Sequence, residues 1–136
     1  MGGSCYRGRL RRHGNVLAGQ PVIDAMAKAY EAAAALSFER RLLAAIEAGR
    51  DAGGQVGNDG HLPERSAAVM VYGDYDHAEL DLRVDLHDTA VEELRRAFEE
   101  YELYRGYYRE RGKNPKAAIP QNEFVAQLQR KQEAAQ

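Results

Sequence analysis

The spacing of apolar residues changes period several times along the chain, and each change marks an element. After Gly19-Gln20-Pro21, Val22, Met26 and Tyr30 recur every fourth position. That interval puts them on one side of a helix, which a proline is well suited to start. This first helix is expected to reach about Ala35. Ser37 then offers a capping hydroxyl with Glu39 in the first turn, and Phe38, Leu42, Ile46 and Gly49 form the stripe of a second helix that stops near Gly53-Gly54. The glycine-rich stretch from Asp51 to Pro63, with Asn58-Asp59-Gly60 inside it, reads as a flexible connection.

The period then shortens to two. Ser66 to Tyr72 is almost continuously apolar, which predicts a strand covered on both faces and central in its sheet. The next run alternates, with Leu80, Leu82, Val84 and Leu86 on one side and Asp81, Arg83, Asp85 and His87 on the other. Gly73 to His77 supplies a hairpin connection between the two. Thr89 and Glu92 make a capping box for a long third helix, its buried stripe formed by Val91, Leu94, Phe98, Tyr101 and Tyr108 and its end near Gly112. Pro115 and Pro120 interrupt the chain before a short amphipathic stretch at Phe124, Val125 and Leu128. The order is helix, helix, strand, strand, helix: an α+β domain over residues 13–112, preceded by an irregular segment, 1–12, and followed by a tail, 113–136.

Composition narrows the classes of function. Nineteen Lys plus Arg against 21 Asp plus Glu leave no bulk field to draw the chain to nucleic acid or anionic lipid. No apolar run is long enough to span a membrane, and the N-terminus lacks the apolar core of a secretory signal. A single cysteine, Cys5, suits a reducing compartment, so the cytoplasm is expected.

Several clusters invite chemical readings. Asp81, Arg83, Asp85 and His87 would share one strand face, as a salt-bridge ladder, a substrate-facing row, or an acid/base or metal pair at Asp85 and His87. The last lacks a third ligand or a nucleophile, so no metal or other cofactor is expected. Asn15, in His13-Gly14-Asn15, either turns the chain or lends its amide to a substrate carbonyl. Arg7, Arg9, Arg11 and Arg12 form either a solvated end or a short phosphate-binding arm. Tyr101, Tyr104, Tyr107 and Tyr108 suggest base stacking, but six acidic side chains match six basic ones from Glu92 to Lys113, which favours packing instead. Ser4 and Cys5 have no positioned base, so neither is expected to act as a nucleophile.

Four blocks together carry a resemblance: Gly14-Asn15-Val16-Leu17-Ala18-Gly19; Phe38 through Gly49; Arg65-Ser66-Ala67-Ala68; and Asp81-Leu82-Arg83-Val84-Asp85-Leu86-His87 with Glu93-Leu94-Arg95-Arg96. Over residues 13 to 105 the chain resembles the C-terminal portion of the bacterial domain of unknown function numbered ten-twenty-eight, classed with the Ntn-hydrolase superfamily. The resemblance implies a four-layer αββα sandwich and an amide-bond hydrolase whose N-terminal Thr, Ser or Cys attacks a carbonyl with its own α-amino group as base. It also brings Asn15, Ser66, Asp81, Arg83, Asp85 and His87 forward as substrate-facing residues. The family's nucleophile would precede residue 13, where this chain has an unrelated dozen residues. A GC-rich coding sequence for Arg7 to His13, read one base out of frame, would give a strand like the one the family has there, so a frameshifted or misassigned start is one expectation. Another is that the chain is inactive alone and self-associates or is complemented by an N-terminal half. The alternative is a small non-catalytic interaction or oligomerisation module built on the third helix and the tail.

Overall fold

A computed structural model describes residues 14–74 and 76–135. Ser4, Cys5, Tyr6, His13 and the early arginines lie outside them. The protein is α+β: helices α1 (Gln20–Ala32) and α2 (Phe38–Asp51), strands β1 (Gln55–Gly57), β2 (Gly60–Leu62), β3 (Ala67–Tyr72) and β4 (Ala78–Val84), then α3 (Ala90–Lys113) and α4 (Gln121–Glu133). It divides into two compact units, residues 1–96 and 97–136. Among the described residues no helix is long and apolar enough to cross a membrane.

In the first unit α1 packs along α2, and α2 packs on β3. Proline in the first turn of α1 and the Ser37 hydroxyl, which accepts from the Arg40 N–H at 3.4 Å, start the two helices where the sequence places them. The buried side of α2 differs from the expected stripe. Leu43 is 1% exposed and Glu39 is buried, whereas Phe38 is half exposed, its ring edge-on to Tyr30 at 6.5 Å. Arg41 secures this junction, donating from Nε to the Tyr30 carbonyl at 3.3 Å with its guanidinium 3.9 Å from the Tyr30 ring centre. Such a contact contributes on the order of 0.5–1 kcal/mol near the surface.

The segment after α2 is an element, not a flexible connection. Gly53, at φ +115°, turns the chain out of the helix, and the Gly54 N–H returns to the Gly49 carbonyl at 3.0 Å. β1 and β2 then pair antiparallel with Gly57 opposite Gly60, leaving Asn58-Asp59 as a two-residue turn. Leu17 bridges Gln55 on the other edge of β1, reinforced by Val56 N–H to the Val16 carbonyl at 2.8 Å and Ala18 N–H to the Gly54 carbonyl at 3.0 Å. The Gly14–Gly19 block is thereby pinned to the segment after α2.

β3 and β4 form a second antiparallel pair, with Val69 opposite Leu82 and Val71 opposite Leu80. Val69, Val71 and Leu80 are buried. The expectation of a central strand covered on both faces is corrected: among the described residues β3 pairs only with β4, and its other face leaves Met70 45% and Tyr72 64% exposed. β4 also stops at Val84, so Asp85, Leu86 and His87 leave the strand and Leu86 is exposed. The turn toward α3 rotates these residues out of the two-residue repeat.

Val91 and Leu94, at the start of α3, are fully buried. Two ion pairs tie this start to α2. Arg95 grips Glu47 bidentately, Nε to Oε1 at 2.7 Å and Nη2 to Oε2 at 2.8 Å, and Arg50 meets Glu92 at 3.0 Å.

In the second unit, α3 continues to Lys113 and α4 folds back so that Phe124 stacks on Tyr107 at 4.3 Å and meets Tyr104 edge-on at 5.7 Å. The Tyr107 hydroxyl donates to the Ile119 carbonyl at 3.0 Å. Tyr104 and Tyr107 therefore pack on the tail, with one correction: Tyr108 is half exposed, so it is not part of a buried stripe. The tail helix runs from Gln121 to Glu133, well beyond the Phe124–Leu128 stretch, yet buries no residue completely.

Candidate ligand cleft

The first unit contains a cleft of about 200 Å³. Leu17 forms part of its wall, as do Val22 and Met26 of α1, Ile46 of α2, Ala67 and Ala68 of β3, and Val91 of α3; its polar lining comes from Arg50, Glu64 and Ser66. The walls are apolar because each element turns its core-facing side toward the others, and Gly49 lets α1 approach α2. A Cβ at Gly49 would lie 2.9 Å from the Met26 Cγ and 3.1 Å from its sulfur.

Of the six residues proposed to face a substrate, only Ser66 lines this cleft. Asn15 is exposed in the bend before Leu17. Asp81 and Arg83 lie on the uncovered face of β4 and pair with each other at 3.1 Å. Asp85 is exposed in the bend after β4. His87 faces its own chain: its Nδ1 accepts the Thr89 N–H at 3.1 Å and lies 3.2 Å from the Thr89 hydroxyl. Thr89 thus meets a histidine acceptor where a capping box with Glu92 is expected. The common face for Asp81, Arg83, Asp85 and His87 does not form, because the strand ends between the second and third of them. Among the described residues no three His, Cys, Asp or Glu side chains are grouped as metal ligands.

Sequence reading overlooked Arg50 and Glu64. Arg50 sits in the last turn of α2, where a cation offsets the partial negative charge of the helix end, and that position was the available signal. Burial acts most strongly on its guanidinium, in the lowering direction; the hydrogen bond to Asp51 and the charges of Glu92, Asp51 and Glu47 together outweigh it and hold the pKa above its usual value. Arg50 contacts Asp51 at 2.8 Å and Glu92 at 3.0 Å, so it is a fixed cation already engaged by two carboxylates. Glu64 spans the gap to β1, its Oε1 accepting the Gln55 N–H at 3.3 Å.

The cleft is therefore a mostly apolar recess whose polar lining residues are Arg50, Glu64 and Ser66. Ser66 makes no side-chain hydrogen bond among the described residues.

Comparison with known proteins bears on the same segments. No curated protein and no solved structure matches the chain. One family model does, starting upstream of the residue-13 start of the resemblance and ending short of residue 105. It spans the Gly14–Gly19 block, α1 and α2, both hairpins and the opening turn of α3. With residues 4–94 matched, more than half of its 136 positions, the chain belongs to the family of unknown function DUF1028.

Proposed function

We propose that this chain is the C-terminal part of an Ntn-hydrolase-like amide-bond hydrolase: it contributes a helix pair, a hairpin and a later helix to an αββα sandwich and is inactive by itself. The observation that carries this reading is the half-covered β3–β4 hairpin. Val69, Val71 and Leu80 are buried, with α2 packed on β3, while Met70 and Tyr72, on the opposite face, are open. A two-stranded sheet is marginal alone, and the open face, where Met70 and Tyr72 stand beside the Asp81–Arg83 pair, is a surface on which a further layer of a sandwich could pack. The Ser66 hydroxyl fits a chain that adds walls to a pocket whose nucleophile is supplied by other residues. The test is to assay the chain alone, and mixed with a segment carrying the family's N-terminal strands, on peptide and amide substrates. Activity only in the mixture is the expected result. Hydrolysis by the chain alone that is lost in Ser66→Ala would overturn the reading.

A second reading, a non-catalytic interaction or oligomerisation module, is favoured by the second unit, where Leu103 is 43% and Tyr108 48% exposed. Tyr104 and Tyr107 cannot report on it cleanly because both pack on Phe124. Leu103→Ser with Tyr108→Ser is the informative variant. Loss of partner binding with helix content unchanged supports the module.

A further inference from the structure

The outer edge of β4 carries a pattern that is complementary to itself. Leu80-Asp81-Leu82-Arg83-Val84 alternates apolar and charged residues, and its two charges have opposite sign and lie one position either side of Leu82. Among the described residues, no backbone group of Leu80–Val84 hydrogen-bonds outside the ladder with β3. The N–H and C=O groups that alternate toward the other edge therefore form a template for another strand.

We infer that β4 pairs antiparallel with β4 of a second copy of this chain, about a twofold axis at Leu82. This inference uses only the strand edge and goes beyond the Ntn-hydrolase reading. In that register Leu82 meets Leu82 of the other copy and Leu80 meets Val84, extending the apolar face, while Asp81 of each copy stands opposite Arg83 of the other. Directly opposed residues in an antiparallel pair have Cβ atoms about 4.5–5.5 Å apart, close enough for opposite charges to attract and like charges to repel. Asp81 and Arg83 already meet at 3.1 Å within the chain, with both side chains about half exposed, so pairing would close a square of four alternating charges. A shift by one residue sets charged positions opposite apolar ones, and a shift by two sets Asp81 opposite Asp81 or Arg83 opposite Arg83. The charges thus select one register. Among the described residues β3 pairs only with β4, and its other edge, Ala67 to Tyr72, has no charged residue and so no comparable selector.

The experiment is sedimentation equilibrium of the full chain at several concentrations in low salt, with circular dichroism to verify folding. The intact chain is expected to dimerise. Asp81→Arg alone and Arg83→Asp alone each oppose like charges and are expected to weaken self-association at least about tenfold. Mixing the two single variants restores opposite charges at both positions and is expected to give a heterodimer, and the double variant Asp81→Arg/Arg83→Asp is expected to regain the homodimer. A monomeric intact chain, a dimer indifferent to the single variants, or failure of both the mixture and the double variant to associate would each overturn the inference.

Discussion

The Glu47–Arg95 pair joins residues 48 positions apart and is the sharpest test of how α2 holds the start of α3. The perturbation is a double-mutant cycle with Glu47→Gln, Arg95→Met and the two combined. The fork is bidentate at 2.7 and 2.8 Å, and the side chains are 28% and 23% exposed, which places the pair between two regimes. Fully exposed pairs contribute about 0.2–1 kcal/mol, and breaking a fully buried pair costs about 3–5 kcal/mol. Partial solvation with favourable geometry gives a coupling of about 1–2 kcal/mol. For a domain of this size, 1 kcal/mol lowers Tm by roughly 3–6 °C. Each single variant should therefore melt roughly 3–12 °C lower, and the double variant should lose less than the sum of the two. Chemical denaturation followed by circular dichroism measures all four proteins. Because the pair is three-quarters covered, 0.5 M salt should reduce the coupling only modestly. A coupling below about 0.3 kcal/mol would refute the idea that this fork, and not apolar packing alone, fastens the two helices.

Three further outcomes are expected. Gly54→Ala should destabilise by about 1–2 kcal/mol in denaturant titration, since Gly54 has φ +52° and an added Cβ would collide with the Glu64 carboxylate that accepts the Gln55 N–H. The hydrogen bond from Arg96 is the largest influence holding the Glu93 carboxyl below its usual pKa, with the Arg96 and His87 charges adding to it against desolvation. A lowered native value means that Glu93 stabilises the fold above its unfolded pKa and that this contribution fades as pH falls through the native one; in Arg96→Met, a carboxyl-carbon NMR titration should show Glu93 returning toward the ordinary range, and an unchanged midpoint would argue against the contact. Phe124→Ala removes the ring stacked on Tyr107 and should cost about 2 kcal/mol, with near-ultraviolet tyrosine dichroism lost and the helical signal reduced as α4 frays.

Features that depend on neighbours within one turn were readable from the residues. Ser37 caps α2, Pro21 starts α1, and β4 alternates around Leu82, because capping, φ restriction and side-chain alternation are properties of a few consecutive residues. The β1–β2 hairpin escaped because its strands are three residues each, too short for a period to show among glycines. The proposed row of Asp81, Arg83, Asp85 and His87 failed for a related reason: alternation continues in the sequence past the point where the backbone turns toward α3, and side chains alone do not mark that point.

By itself, then, the sequence determined the α+β class, the order of the longer elements, the Ser37 cap of α2 and the blocks that place the chain in its family. Only the tertiary structure decided which side of each element is buried. Leu43 and not Phe38 faces inward on α2, Ser66 alone among the proposed site residues reaches the cleft, and Glu47 finds Arg95. The physical reason is range: periodicity records that a helix or strand has an apolar side, but the orientation of that side, and the meeting of charges dozens of residues apart, are set by what packs against it.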